Sequence, residues 1–377
     1  MSEPPTERAT VATEPTADWD ALAVDRPGGH VYQSRAWAEH RRSHGWRPLF
    51  LSTKGLRILA LTRPWPVLGG ASAYVPRGPA PVVGTDELGA ALWSTTKALA
   101  GEGIDVVAVD AEVPAVDAAW RSWLRRAGYH PIDEIQPSRH RLTLPLGAGA
   151  AEDELFAGIA KSTRQRIRKA EKGRIAVVRH DAHAAAPDGG NDAFVVPAED
   201  SAVALDRFYD LLVETGERRD FSFGPRTEFV AWWVRALAAG HLLYLEARDG
   251  DASGELLAGL VLYRHGGRLS TVHSGDPARA RETHPGALHL LRWRAIQLAI
   301  REGCLEMDLG GVDVPGARRE PREDEPMHGL YQHKLSFGAQ WLELAGAHER
   351  VIRPNRYRVG RLLARVRRLV PPVGERA

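Results

Sequence analysis

Cysteine is almost missing from this sequence: Cys304 stands alone among 377 residues. A single cysteine excludes a disulfide framework and a cysteine-rich zinc site, and it fits a reducing compartment. Long apolar runs are missing too. Nothing reaches the roughly 18 residues that a membrane-spanning helix needs. Charge of one sign does not dominate, since 50 Lys and Arg face 48 Asp and Glu for a net +2. A general nucleic-acid coat is thereby excluded, and any basic surface must be local. The first residues, MSEPPTERATVATEPTAD, show no basic stretch leading into an apolar one, so no signal peptide is expected there. Residues 1–17 read as a disordered tail. The fifteen histidines show no ligand spacing, and no metal is expected.

What is present is an ordinary globular composition, 44% hydrophobic and 26% charged, which can bury a full core. The length fits two domains at roughly 150 residues each. YQSRAWAEHRRSHGW reads as a helix, with Ser34 as N-cap and Gly45 just past its end. RPLFLS, LRILALTR and GGASAYVPRGPAP follow as extended segments, then a helix, the buried strand IDVVAVDAE, a helix and the strand RHRLTLPL. The second half opens with two short helices over EDELFAGIAKSTRQRIRKAEKG. A strand, two helices, three strands and a long helix at about 286–302 lead into CLEMDLGG, another helix and WLELAG. The predicted division is a tail at 1–17, a first domain at 18–150, a second at 151–345 and a basic segment at 346–377.

The halves share an order of elements, and EGIDVVAVD and EGCLEMDLG place Glu-Gly before an aspartate-bearing strand at residues 102 and 302. Two copies of one fold are the simplest account. Helix, helix, three strands, helix, strand, helix, strand is the order of GNAT acyltransferases. The second half follows it well, while the first lacks an opening strand and helix. The expected class is α/β (α+β), two tandem GNAT-like acyltransferase domains.

Lys334 is the residue that most needs explaining. HGLYQHKLSFGAQW sets it among Tyr331, His333 and Phe337, with Gly338 as a C-cap. Spacing alone allows a lysine whose stem packs on those rings while its head reaches water. Asp308, ending a strand in MDLGG, either orients a reacting amine or caps the next turn. His273, in STVHSG, is open to a cleft or a structural reading. Seven cations, Lys161, Arg164, Arg166, Arg168, Lys169, Lys172 and Arg174, face one acid, Glu171, over 161–174. That density self-repels unless an anion compensates it. RVIRPNRYRVGRLLARVRRL reads as a basic amphipathic helix that packs on the first domain, touches RNA or lies on an anionic membrane leaflet.

Taken in order, YQSRAWAEHRRSHGW, YVPRGPAP, KSTRQRIRKAEKG, FYDLLVETGERRDFSF, LLRWRAIQLAIREGCLEMDLGGV and GLYQHKLSFGAQWLELAG are similar to the FemABX family. These are aminoacyl-tRNA-dependent ligases that build peptidoglycan interpeptide bridges on two tandem GNAT-like domains. The resemblance implies an aminoacyltransferase that adds an amino acid to the stem peptide of a lipid-linked or UDP-linked muropeptide. Aminoacyl-tRNA is then the co-substrate, with no further cofactor. It implies Lys334 beside the 3′ end of the acceptor nucleotide, with Tyr331, His333 and His273 about the substrate and Asp308 as a catalytic candidate. Arg218, matching T-x-x-R-x-x-F in ETGERRDF, and Arg41 become candidates for precursor phosphates or carboxylates. Arg164, Arg168 and Lys172 become candidates for tRNA phosphates. A monomer in the cytoplasm is expected, with peripheral contact at the inner membrane face left open. Two features depart from the family: the loop 180–192 stands where some members carry a long helical arm, and His333 replaces a common aromatic residue. A sister branch of CoA-dependent N-acyltransferases is the alternative. Its Gly-rich pyrophosphate turn is weak here, because RARETHPGALH has a single glycine and a proline.

Overall fold

The computed structural model describes residues 9–53, 55–81, 84–136, 140–147, 149, 151–183, 194–217, 223–312 and 319–369, excepting the side chains of 365–369. The chain forms two units, one of residues 1–139 and 343–377 and one of 140–342. In the first unit come β1 (Thr10–Ala12), α1 (Arg35–Ser43), β2 (Arg47–Thr53), β3 (Leu56–Pro64), β4 (Ala71–Val75), α2 (Thr85–Gly101), β5 (Ile104–Val109), α3 (Ala118–Arg126) and β6 (His130–Pro131). The second unit opens with β7 (His140–Pro145), α4 (Glu152–Gly158), α5 (Lys161–Lys172), β8 (Ile175–Asp181), β9 (Phe194–Val196), α6 (Ala202–Glu217) and α7 (Arg226–Ala238). It continues through β10 (Leu242–Asp249), β11 (Leu256–His265), β12 (Arg268–Gly275), α8 (Ala278–Thr283), α9 (Ala287–Arg301), β13 (Glu306–Asp308), α10 (His328–Leu335) and β14 (Gln340–Glu343). The chain then returns to the first unit as β15 (His348–Val351) and α11 (Pro354–Leu369).

The two sheets repeat one plan. The first runs β1-β2-β3-β4-β5-β15-β6, and the second runs β9-β8-β10-β11-β12-β13-β7-β14. In each, an antiparallel run of strands reaches a parallel pair at the corresponding place, β4 with β5 and β12 with β13, and the second sheet has a further parallel pair at its edge, β8 with β9. The opening strand missing from the first-half pattern is β1, inside the stretch expected to be a disordered tail. Thr10, Val11 and Ala12 pair with Ser52, Leu51 and Phe50, and buried Ala9 donates its N–H to Ser94 Oγ at 2.8 Å. Three residues flanked by Glu and Pro carry too little periodicity to announce a strand.

Two further expectations are corrected. β7, read as the last strand of the first domain, pairs with β13 of the second unit. β15, read as part of a basic tail, lies between β5 and β6 of the first unit's sheet. Its residues, HERV, look polar, and their partners are more than 200 residues earlier in the chain.

Local capping chemistry explains where the helices sit. Ser34 Oγ accepts the Trp37 N–H at 2.9 Å. At the other end of α1, Gly45 at φ 77° lets Gly45 and Trp46 donate to the Arg42 and Arg41 carbonyls, a Schellman closure. α11 is anchored to the first unit by Asp105, a fully buried carboxylate at the start of β5. It accepts from Trp65 Nε1 at 2.8 Å, Arg356 Nη2 at 2.7 Å and Arg353 Nη1 at 3.3 Å. Gly360 leaves room for the Trp65 ring, since a Cβ there would come within 2.4 Å of it. Among the described residues, no helix is long and apolar enough to cross a membrane.

Candidate active site

α10 buries one side of itself. Tyr331 and Lys334, and Phe337 just past its end, recur every three residues and are almost fully covered. Gly338, at φ 88°, ends the helix by donating to the Leu335 carbonyl at 2.8 Å. The helix end docks α5, because the Ser336 carbonyl accepts the Ala160 N–H and Ser336 Oγ accepts from Thr163 Oγ1, both at 2.8 Å. Lys334 is therefore held from both sides. Lys334 is 5% exposed, and Nζ donates to the Gly311 carbonyl at 2.6 Å, its one hydrogen-bond partner among the described residues.

The turn after β13 makes that contact possible. Asp308 Oδ1 accepts the Gly310 N–H at 2.7 Å, so this aspartate caps the turn. Gly310 sits at φ 77°, where a Cβ would come 2.8 Å from the Thr271 carbonyl and 3.4 Å from Lys334 Nζ. The other Asp308 oxygen lies 4.0 Å from Arg141 Nη1, which also meets Glu306 at 3.0 Å.

Three further neighbours, none of them marked by a motif, complete the surroundings. Arg292 on α9 is 1% exposed and donates to Ser274 Oγ at 3.3 Å. Its signal was legible: an arginine within the apolar run LHLLRW. His140 on β7 accepts the Val312 N–H at 2.9 Å and stacks on Trp341 at 3.9 Å. His289 on α9 meets the His333 ring edge-on at 4.5 Å.

Burial dominates the electrostatics. It lowers Lys334 from its usual value to about 7, with Arg292 adding to the shift and Asp308 opposing it. His140 and His289 are each pushed down to about 4, chiefly by burial. His333 falls to about 2 through burial, then through Arg292, His289, Lys334 and Arg166. The histidines are thus neutral at pH 7.

α5 and α9 approach closely at Gly286, whose φ is 116°; a Cβ there would lie 2.6 Å from the Arg166 carbonyl oxygen. Gly286→Ala should therefore destabilise the second unit by about 2–3 kcal/mol, through positive-φ strain and overpacking. Urea unfolding checks this, and an unchanged midpoint contradicts the packing account.

The first unit has its own buried polar cluster at the end of its parallel pair. Asp110 accepts from the Arg77 N–H at 2.6 Å and from Tyr74 Oη at 2.8 Å, and Gln136 Nε2 donates to Tyr74 Oη at 3.0 Å. Burial raises the Asp110 carboxyl, and Arg77 opposes that shift. Arg77, at φ 49°, belongs to the segment YVPRGPAP.

Residues 157–320 match the family model described as "Acetyltransferase (GNAT) domain". The solved structure described as "Crystal structure of FemX" superposes with a TM-score of 0.74 at 17% identity, covering 93% of this chain and 99% of that one. The fold is FemX-like. It comprises two GNAT-like units, and the second is an acyltransferase unit by its family match. A conserved protein of unknown function from Bacteroides thetaiotaomicron VPI-5482 also superposes, with a TM-score of 0.53 at 13% identity, covering 90% and 98% of the two chains. No curated protein matches at a significant level.

On this FemX-like frame, Lys334 and Asp308 come together around the turn after β13, while His333 meets His289 of α9 and Phe337. Tyr331 packs in the same core, edge-on to Trp341 at 6.1 Å, and burial raises its hydroxyl to about 12. His273 sits apart in an aromatic cluster with Phe223, Phe229 and Trp233, at 5.8, 5.7 and 5.6 Å, and burial lowers it to about 4. Arg41 belongs to the first unit, where its guanidinium lies over Trp37 and Trp46 at 5.4 and 5.3 Å. Arg218 lies outside the described residues, as does most of the loop 180–192.

Along α5, Thr163, Ile167 and Ala170 form a buried stripe that the cations flank. Arg164 is turned inward, donating to the Ile159 carbonyl at 2.6 Å and to the Ala157 carbonyl, so it closes the end of α4. Arg168 and Lys172 are exposed, Arg168 over the Phe156 ring at 5.3 Å.

Proposed function

We propose that this chain is an aminoacyl-tRNA-dependent aminoacyltransferase that adds an amino acid to the stem peptide of a peptidoglycan precursor, with Lys334 as its central group. The reading rests on the resemblance of its motifs to the FemABX family and on the FemX-like fold over nearly the whole chain. The observation that carries it is the burial of the Lys334 ammonium without a carboxylate in direct contact. A lysine kept only for packing would place its head in water.

The chemistry follows from the ester. An aminoacyl ester is already activated, so no protein nucleophile is required. Attack by the stem-peptide amine develops an oxyanion, and a preorganised positive charge nearby lowers that barrier. Lys334, beside cationic Arg292, supplies such charge. Anionic charge on an arriving donor raises the Lys334 pKa again, which holds the ammonium form during reaction. Asp308 shapes the turn carrying Gly310 and Gly311 and steadies the ammonium from a distance. The CoA-dependent alternative has less support in the sequence, because RARETHPGALH, with a single glycine and a proline, is a weak match to a Gly-rich pyrophosphate turn.

Transfer is tested by incubating the protein with tRNA charged by labelled amino acids and with UDP-linked or lipid-linked precursor. Label should move to the precursor, and ribonuclease treatment of the donor beforehand should abolish the transfer. Label that stays on the RNA with both precursors contradicts the reading.

The exposed cations of α5 give a separate expectation for tRNA. Changing Arg168, Lys169 and Lys172 to Gln should flatten the plot of log affinity against log salt by about 2 units, on roughly 0.7–0.9 per phosphate contact. All tRNAs should weaken alike, since phosphate contacts carry no sequence information. Arg164 is left intact in this test because it holds α4. An unchanged slope places the tRNA path elsewhere.

A further inference from the structure

The carboxy-terminal helix has one face engaged with the first unit and one that meets only solvent. α11 carries six arginines and no acidic residue. On its inner side Arg356, with Arg353 just before the helix, reaches the buried Asp105 carboxylate, and Gly360 lies against the Trp65 ring. Tyr357 donates its hydroxyl to Glu349 Oε1 at 2.5 Å. On the outer side Arg358, Val359, Arg361 and Leu362 are exposed, Val359 by 47% and Leu362 by 62%. Residues three apart share a helix face, so Val359 and Leu362 form an apolar row with Arg358 and Arg361 as a cationic row beside it. Arg361 is steadied by Tyr357, donating from Nη1 to Oη at 2.8 Å with its guanidinium over the ring at 5.5 Å. In sequence, Val366 and Leu369 follow four and seven positions beyond Leu362, with Arg365, Arg367 and Arg368 interspersed.

We propose that this outer face of α11 is a docking surface for an anionic lipid bilayer, with the helix lying in the plane of the interface. Val359 and Leu362 enter the boundary between headgroups and acyl chains, while Arg358 and Arg361 stay with the acidic headgroups. Charge complementarity together with the apolar row selects this occupant. An RNA backbone would engage the arginines and leave the aliphatic row in water, since phosphate contacts call for no apolar partner. A second copy of the chain would bring like-charged arginine rows together, which repel. A bilayer of acidic lipid satisfies both rows at once. Because Asp105 and Trp65 hold the inner side, the helix presents one fixed face and docks without leaving the first unit. The inference needs neither donor nor acceptor of the reaction proposed above. Where both hold, they favour the lipid-linked precursor over the UDP-linked one.

The test is sedimentation of the full chain with vesicles of phosphatidylcholine alone and of phosphatidylcholine mixed with phosphatidylglycerol. The protein should partition onto the acidic vesicles about tenfold or more above the neutral ones, and added salt should weaken the preference. Arg358→Gln combined with Arg361→Gln should lower the partition coefficient by roughly tenfold or more, at about fivefold per arginine near the surface. Val359→Ser combined with Leu362→Ser leaves the charge alone and should also lower it by about tenfold or more. All four positions are exposed, so melting should match the wild type in both variants. No preference for acidic vesicles overturns the docking surface. So does a serine pair that binds vesicles like the wild type, because the apolar row then takes no part. An arginine pair that weakens tRNA binding and leaves vesicle partition unchanged overturns it and gives the face to RNA. A concentration-dependent dimer that the serine pair abolishes, without vesicle binding, overturns it in favour of a second copy. Vesicle binding is read without any substrate, so its failure and the failure of the proposed transfer reaction are separate results.

Discussion

Lys334→Met should make the protein more stable and far less active. The activity loss is expected at about 10²–10³-fold in turnover, the scale for removing one preorganised oxyanion donor. The stability gain follows from linkage. The folded-state value of Lys334, about 7, lies below its ordinary 10.5. Below pH 7 both folded and unfolded chains hold the proton, and the folded state bears the full cost of the buried charge. Between pH 7 and 10.5 the unfolded chain binds the proton and the folded chain does not, so wild-type stability rises with pH in that window. At about 1.4 kcal/mol per pKa unit, methionine should gain roughly 3 kcal/mol or more at pH 6, and the gain should shrink as pH approaches 10. Chemical denaturation at pH 6 and pH 9.5, beside steady-state rates, reads both effects. A variant that loses stability and keeps its rate would make Lys334 a packing residue.

The second large effect concerns the first unit. Asp105→Ala removes a fully buried carboxylate from Trp65, Arg353 and Arg356 at once. Removing one partner of a buried charge pair typically costs about 3–5 kcal/mol. The first unit's melting temperature should then fall by roughly 10 °C. α11 should also become sensitive to protease near Arg353 and Arg356, because Asp105 holds its first turn. Unchanged melting and unchanged proteolysis would mean that β15 alone anchors the carboxy-terminal segment.

The sequence was legible wherever structure is decided by near neighbours. Ser34 and Gly45 mark the ends of α1, whereas the spacing of Tyr331, Lys334 and Phe337 left the lysine's head free to reach water and only the fold buries it. The tandem GNAT plan also follows from the order of elements. Legibility failed where a partner lies far along the chain. β1 and β15 are short and polar, and only their pairing with distant strands makes them part of a sheet. Arg164 looked like one of several equivalent cations, yet its distance to the Ala157 and Ile159 carbonyls sets it apart. Asp308 allowed two readings, and its contact with Gly310 makes it a turn cap whatever else it does. Arg292 carried a signal in its apolar surroundings, whereas His289 gained meaning only once α9 and α10 were seen to bring it against His333.

One measurement bears most directly on the central claim, that Lys334 serves transfer from aminoacyl-tRNA to a peptidoglycan precursor. A single reaction would contain both donors, tRNA carrying one isotopic label on its amino acid and acetyl-CoA carrying another, with precursor as acceptor and mass spectrometry as readout. The account predicts that precursor gains one amino acid from the tRNA and nothing from acetyl-CoA, and that Lys334→Met slows this gain at least a hundredfold. Acetylated precursor, or aminoacylated precursor formed equally fast by Lys334→Met, would contradict it.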